Sequence, residues 1–204
     1  MVNTARKAYS ITRCLKLRIL ETSLPGVKII EPKVFGDHRG WFMETYSDEW
    51  FKKLGMTIGF VQDNHSFSAS KGTLRGLHYQ LEPKAQAKLV RCTKGAIFDV
   101  AVDIRKGSPT FGKWYSIELS SDNKKQLFIP KGFAHGFITL TDLVEVQYKV
   151  DEIYAPDYDR GIVWNDPAIG INWPINLTPI LSAKDQTSPL LTEAENNFIY
   201  RNDL

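Results

Sequence analysis

The sequence has few cysteines, no long apolar run and little excess charge, and each of these shortages excludes a class of protein. Its only cysteines, Cys14 and Cys92, are too few for a disulfide framework and lack paired metal-ligand spacing, so we expect ordinary thiols in a reducing cytoplasm. No apolar run approaches the roughly 18 residues of a membrane span, which predicts a soluble protein. The net charge of +3 is too small to hold a nucleic-acid backbone, so no nucleic-acid or membrane partner is expected.

Acidic residues are absent from the first 18 positions, which contain five basic ones: Arg6, Lys7, Arg13, Lys16 and Arg18. This composition indicates a basic extension, which we expect to be disordered, and the chain length favours one domain. The family resemblance described below places the boundary, with the extension over residues 1–18 and the domain over residues 19–204. A transit-like arm is an alternative for residues 1–15, because they hold Arg, Ser and Thr without acids.

Long helical patterns are also scarce, and short apolar runs take their place. The separators between these runs are short and rich in Gly, Pro, Asp, Asn and Ser, which is typical of an all-β sandwich or barrel rather than a parallel α/β sheet. The ten runs are VKII, GWFMETY, GFVQDNHSF, TLRGLHYQL, AKLVRC, GAIFDVAVDI, KWYSIEL, KQLFIP, HGFITL and LVEVQYKV.

One helix is predicted in YSDEWFKKLGM, where Ser47 can cap its beginning and Gly55 can close its end. Trp50, Phe51 and Leu54 would share its apolar face. After residue 155 the chain becomes irregular and rich in proline. We expect this tail to wrap over the sheets, with a short helix near TEAEN.

Two histidines stand at positions that matter for one class of small β-barrel. In IPKGFAHGF, a Pro-x-Gly-x-x-His pattern ends at His135, as in the second motif of the cupins. The first motif of a metal-binding cupin has His-x-His followed by a glutamate. Here His78 is present, but Gln80 replaces the second histidine and the acid position falls near Lys84. The remaining ligands are too few to hold a transition metal, so we expect no metal.

His78 is therefore a candidate base, although a lone histidine on an apolar strand is more often a hydrogen-bonded core residue. Arg75 and Lys88 lie nearby in sequence, and burial of either is costly without an anionic partner. Arg75 and His78 fall on opposite faces of a regular strand. Either a bulge at Gly76, or a strand that begins after Arg75, could bring both into one cavity.

Most of the chain, from about Ile19 to the C-terminus, resembles the RmlC-type dTDP-4-dehydrorhamnose 3,5-epimerases, which are metal-free cupins. The resemblance implies an all-β, cupin-type jelly roll with a few short helices and an irregular C-terminal tail. The matching blocks are PGVKIIEPKVFGDHRGWFMETY, FVQDNHSFSASKGTLRGLHYQ, KLVRCTKGAIFDVAVDIRKGSPTFGKW, IPKGFAHGF, VQYKVDEIYAPDYDRGIVWNDP and ILSAKD.

The resemblance also implies an activity and its catalytic groups. Enzymes of this family invert C3 and C5 of dTDP-4-dehydro-6-deoxy-D-glucose, giving dTDP-4-dehydro-L-rhamnose for dTDP-L-rhamnose biosynthesis, without a cofactor. By this resemblance His78 is the base and Asp185 orients it. Lys88 stabilises the enolate oxygen, and Tyr148 donates a proton from the opposite face.

The other implied positions bind the nucleotide sugar, and the family's exchange of an N-terminal segment implies a homodimer. Tyr154 would stack on thymine, whereas Asp159 stands where relatives carry Glu. The substrate-binding set is Arg39, Glu44, Gln62, Asp63, Asn64, Arg75, His135, Tyr154, Asp159 and Lys184. Three alternatives remain at this stage: a 3-epimerase acting on the same kind of sugar, a metal cupin, and a non-catalytic module that binds nucleotide sugars.

Overall fold

The computed structural model of the chain describes residues 17–53, 55–174 and 178–201. Most of the predicted basic extension lies outside the described residues, but its last two residues begin the first strand. The strands are β1 (Leu17–Glu21), β2 (Lys28–Pro32), β3 (Val34–Asp37), β4 (Gly40–Met43), β5 (Gln62–Ser68), β6 (Leu74–Gln80), β7 (Lys88–Lys94), β8 (Ala96–Asp103), β9 (Trp114–Ser120), β10 (Gln126–Ile129), β11 (Phe133–Thr139), β12 (Val144–Val150) and β13 (Asp159–Gly161). Two short α-helices are α1 (Asp48–Lys53) and α2 (Ala183–Gln186).

The strands form two main sheets that face each other. One sheet has six strands in the order β1-β2-β10-β7-β12-β5, and the other has five in the order β13-β6-β11-β8-β9. All strand pairs are antiparallel. This is the nearly all-β, cupin-like arrangement that the sequence predicts.

Apolar side chains from both sheets fill the space between them. Val90 and Val146 from the six-stranded sheet pack in one cluster with Ile97, Leu119 and Phe137 from the five-stranded sheet. These side chains alternate with outward-facing ones along each strand, as expected of a sandwich core. The core therefore fixes which strand positions point into the space between the sheets.

The outer faces of both sheets are covered by other segments. Helix α1 covers the six-stranded sheet, where Phe51 packs on Ile30 and Leu89. The C-terminal tail covers the five-stranded sheet, placing Ile162 and Phe198 in a second outer cluster. The predicted wrapping of the tail over the sheets is thus confirmed. None of the helices in the described ranges has the length and apolar character needed to span a bilayer.

All ten predicted runs overlap strands, whereas the errors fall on short elements with weak patterns. Strands β1, β3 and β13 were not predicted. All four residues of β3 are exposed, so its sequence has no buried alternation to detect. The helix expected at TEAEN is wrong: the carbonyl of Leu190 accepts bonds from the amides of Glu193 and Ala194, and this single turn does not continue.

Of the two alternatives for β6, the structure has the bulge at Gly76, and Arg75 lies within the strand. In the strand register, His78 pairs with His135 and Arg75 pairs with Phe137. Between these two pairs β6 contains one residue more than β11. The extra residue brings Arg75 and His78 to the same cavity. Gly76 has φ of +118°, and a Cβ there would stand 2.5 Å from the Cα of Gly136.

We expect Gly76→Ala to lower the free energy of unfolding more than Gly107→Ala does. Gly107 also has a positive φ (+83°), but a Cβ there meets no atom within 4 Å. The conformational cost shared by both variants is about 1 kcal/mol, and the clash at Gly76 adds about 2 kcal/mol. Urea unfolding of both variants measures this difference. Equal losses would show that the close approach of β6 and β11 is easily relaxed.

Candidate active site

A cleft opens between the two sheets and has two adjoining lobes of about 410 and 380 Å³. His78, Lys88 and Tyr148 line both lobes, so the lobes form one continuous site. His78 comes from the five-stranded sheet, whereas Lys88 and Tyr148 come from the six-stranded sheet. The base candidate and the acid candidate therefore stand on opposite walls.

The His78 ring is held by a carboxylate, as the resemblance implies. Its Nε2 lies 2.6 Å from Oδ1 of Asp185, a residue only 2% exposed. Burial alone would raise the pKa of Asp185. Hydrogen bonds from His78 and Ser182 outweigh the effect of burial, so the pKa of Asp185 is lowered. The carboxylate stays ionised, fixes the ring orientation and can stabilise an imidazolium. Nδ1 is then the ring nitrogen left to take a proton.

Asp185 reaches His78 because the tail is fastened to β6. The amide of Leu74 donates to the carbonyl of Ile180 (2.9 Å), which begins the segment leading to α2. Ser182 then caps α2 by accepting a bond from the Asp185 amide (3.1 Å). A four-residue helix is too short to show a periodic pattern, so the sequence signals this position only through the resemblance.

Lys88 is a buried cation with little to balance it. It is 8% exposed, and within the described ranges its Nζ makes one long hydrogen bond, 3.4 Å from the His78 carbonyl oxygen. Burial lowers the pKa of Lys88 from 10.5 to about 8, although the more distant Asp159 and Asp99 act in the opposite direction. A buried cation that has no carboxylate partner among the described residues is suited to a ligand that carries or develops negative charge.

Tyr148 is half-buried on β12, on the same wall as Lys88 and on the wall opposite to His78. Burial raises the pKa of its phenol, and the positive charge of Arg75 partly offsets that rise. The phenol is therefore protonated at neutral pH and can act as a proton donor. Arg75 itself is exposed at the cleft, donating from Nε to the Ser68 hydroxyl (3.2 Å), so the expected cost of its burial does not arise.

The second lobe brings together five of the predicted substrate-binding residues: Gln62, Asn64, Tyr154, Asp159 and Lys184. Asp159 accepts a hydrogen bond from the Tyr154 hydroxyl (3.1 Å) and forms an ion pair with Lys184. Gln62 accepts from the Tyr154 amide (3.0 Å). The exposed Tyr154 ring is thus held at the edge of a polar lobe that contains a cation.

Three predicted residues lie elsewhere in the described chain. Arg39 is exposed in the turn between β3 and β4, where its guanidinium pairs with Asp37 (2.6 Å), and Glu44 follows β4. Neither lines either lobe. Asp63 points to the outer face of β5 and pairs with Lys149 at 2.7 Å. Its neighbours Gln62 and Asn64 face the cleft, because side chains alternate along a strand.

Asp99 is a site residue that the sequence reasoning missed. It is fully buried, and its Oδ1 lies 2.8 Å from Nε2 of His135. His135 lines the first lobe beside His78, its cross-strand neighbour in the same sheet. Burial lowers the pKa of His135, while the charge of Asp99 opposes that change. An aspartate within an apolar strand, in GAIFDVAVDI, is the signal that could have indicated a buried partner.

The residues that stand where metal-binding cupins carry their metal ligands make other contacts in this structure. Gln80 donates to the Lys84 carbonyl (2.6 Å) and accepts from the Ala155 amide (2.8 Å), so it joins loops together. His78 and His135 each bond a carboxylate of their own. Across the described ranges, no three side chains of His, Cys, Asp or Glu come together as a ligand set. The side chains present do not fit a transition metal.

A histidine–aspartate pair, a buried lysine and an opposing tyrosine in a cupin-like cleft define an acid–base enzyme of small molecules. A family model described as dTDP-4-dehydrorhamnose 3,5-epimerase matches residues 21–193. The chain belongs to this family.

Named relatives agree with this assignment. The dTDP-4-dehydrorhamnose 3,5-epimerase of Sinorhizobium fredii is 56% identical over 178 residues, which are 87% of this chain and 91% of the relative. The RmlC structure from Legionella pneumophila, in complex with dTDP-4-keto-L-rhamnose, has a TM-score of 0.84 and 47% identity, covering 87% and 94% of the two chains. ChmJ, a 3'-monoepimerase from Streptomyces bikiniensis in complex with dTDP-quinovose, has a TM-score of 0.80 and 35% identity, covering 84% and 86%.

We expect Lys88→Met to stabilise the fold at neutral pH, because it removes a buried, poorly balanced charge. A folded pKa of about 8 against 10.5 corresponds to up to about 3 kcal/mol at pH 7. Since the unfolded chain holds this proton more tightly, wild-type stability should rise between pH 8 and 10.5, and the variant should lose this rise. Denaturant unfolding across this pH range measures it, with the exposed Lys113→Met as control. A less stable Lys88→Met would show that Lys88 is well compensated.

Proposed function

We propose that the protein epimerises C3 and C5 of dTDP-4-dehydro-6-deoxy-D-glucose, giving dTDP-4-dehydro-L-rhamnose for dTDP-L-rhamnose biosynthesis. The observation that carries this proposal is the placement of His78 and Tyr148 on opposite walls of one cleft that Lys88 also lines. Inversion at a carbon needs a proton to leave from one face and return to the other. The two walls supply a base and an acid in that arrangement.

The keto group at C4 makes the chemistry possible. A carbonyl acidifies the C–H bonds at both neighbouring carbons, because the carbanion formed is an enolate. His78 takes the proton from C3 or C5 at Nδ1, and its imidazolium is stabilised by Asp185 through the bond at Nε2. Asp185 acts through His78 and is a positioning residue.

Lys88 stabilises the enolate oxygen. Because the lysine is buried, its charge acts in a medium of low dielectric and interacts more strongly with a developing anion than a solvated lysine does. A pKa of about 8 keeps most of the side chain protonated at neutral pH. The C4 oxygen is common to both enolates, so one lysine serves both inversions.

Tyr148 returns a proton to the other face of the sugar. The phenolate that remains needs positive charge nearby, and Arg75 supplies it, since its charge lowers the Tyr148 pKa. Exchange of protons with water then restores the neutral His78 ring and the Tyr148 phenol, and a ring flip presents the second carbon to the same pair of groups. The relative's complex with dTDP-4-keto-L-rhamnose supports a ligand of this class.

The nucleotide occupies the second lobe in this proposal. Tyr154 is exposed there for stacking on thymine, and Lys184 provides charge for a phosphate. A cytoplasmic location belongs to the same proposal. The thiol of Cys92 is buried and free, donating to the Lys94 carbonyl (3.2 Å), as suits a reducing compartment.

His78→Asn should lower kcat by about 100- to 10,000-fold while leaving the affinity for dTDP nearly unchanged, because it removes the base and little binding surface. Asp185→Asn should also lower kcat, since the amide no longer stabilises the imidazolium. Turnover of dTDP-4-dehydro-6-deoxy-D-glucose, coupled to a reductase that consumes the product, measures both. A His78→Asn enzyme with more than a tenth of wild-type activity would refute the proposed base.

The hairpin of β3 and β4 supports a homodimer as part of this proposal. It pairs with no other strand in the described residues, and it exposes Trp41 (59%) and Phe42 (70%). Exposed aromatic side chains grouped on one hairpin are typical of a surface that another chain covers. Arg39 lies in this hairpin, away from its own cleft, so we propose that it reaches the cleft of a second copy.

Mixed dimers test this exchange. Arg39→Ala and His78→Asn homodimers should each be nearly inactive. If Arg39 serves the partner, a mixed dimer contains one site with both changes and one wild-type site. Unfolding and refolding an equimolar mixture should then restore about a quarter of wild-type activity, because half of the dimers are mixed. No restoration in dimers shown to be mixed would contradict the exchange, and an active wild-type monomer would contradict the homodimer.

A further inference from the structure

Strand β5 carries a row of polar side chains on the face that points into the sandwich. Burial alternates along the strand, and its inward positions are Gln62, Asn64, Ser66 and Ser68. An inward face at the edge of an apolar core is an unusual place for four consecutive polar side chains. Each of them needs a hydrogen-bond partner, because an unsatisfied buried polar group is costly.

Three of the four have partners in the chain. Gln62 accepts from the Tyr154 amide (3.0 Å) and donates to the Asn64 side chain (2.8 Å). The Ser68 hydroxyl accepts from Nε of Arg75 (3.2 Å). The hydroxyl of Ser66 is buried and has no hydrogen-bond partner among the described residues.

Ser66 faces the reacting part of the cleft. It lines the same lobe as His78, Arg75 and Tyr148. Across the sheet it pairs with Val146, whose apolar side chain offers no partner, and Tyr148 lies two residues further along that strand. Ser66 therefore borders the space that a sugar or its phosphates would fill.

We propose that Ser66 is a substrate-binding residue whose hydroxyl bonds an oxygen of the bound nucleotide sugar. The inference rests on the proposed function and adds a contact on the wall that carries Tyr148. The bond forms only with ligand present, so it supplies binding energy without stabilising the empty fold. Oxygens of the hexose and of the diphosphate share the required chemistry, since either can pair with a hydroxyl.

Ser66→Ala tests this directly, because it removes one hydroxyl and keeps the backbone and volume nearly unchanged. We expect kcat/KM to fall about 3- to 30-fold, while the free energy of unfolding stays equal or rises because an unsatisfied buried group is removed. Ser116→Ala on β9, outside both lobes, is the matched control and should change neither quantity.

Calorimetric titration with dTDP and with dTDP-glucose identifies the oxygen that is bound. Weaker binding of both ligands by Ser66→Ala assigns the contact to the diphosphate, and weaker binding of dTDP-glucose alone assigns it to the hexose. Unchanged binding and turnover would overturn the inference, as would a loss of stability that accounts for the lost activity. A wild-type protein that binds dTDP but does not turn over the keto sugar would count against the proposed function. The titrations would still show whether the Ser66 hydroxyl contacts the ligand.

Discussion

The hydrogen bond between His78 and Asp185 joins residues 107 positions apart, and much of the local structure serves to make it. The bulge at Gly76 turns His78 into the cleft beside Arg75. The tail returns along β6 and then forms the short capped helix α2, which aims Asp185 at the ring. A base of this kind needs a fixed orientation, and here it is fixed by the packing of distant segments rather than by local sequence.

The cleft also contains groups that the empty fold does not satisfy. Within the described part of the chain, Lys88 is a buried cation without a close carboxylate, and the Ser66 hydroxyl has no hydrogen-bond partner. Such groups reduce the stability of the fold. They are retained where a ligand can satisfy them, and their positions around one cleft indicate where negative charge and sugar oxygens are expected.

The sequence predicted the architecture better than the details of the site. Short apolar runs bounded by turn residues placed ten strands correctly, because the strands of a buried sandwich are apolar and the turns between them are rich in Gly, Pro, Asp, Asn and Ser. Strand β3 escaped prediction because all of its residues are exposed. A bulge at Gly76 could be suggested from the sequence because a regular strand would place Arg75 and His78 on opposite faces. The role of Asp185 came only from family resemblance, since a four-residue helix in an irregular tail has no pattern. Asp99 was missed: its position in an apolar strand indicates a buried partner, but nothing local identifies that partner as His135.

The central claim is that one base and one acid on opposite walls invert two carbons that flank a single carbonyl. Turnover of dTDP-4-dehydro-6-deoxy-D-glucose in heavy water, followed by NMR of the product, tests it most directly. The account predicts deuterium at both C3 and C5, with the configuration changed at each carbon. Label at C3 alone after complete turnover would make the protein a 3-epimerase, and absence of label at both carbons would contradict the enolate mechanism.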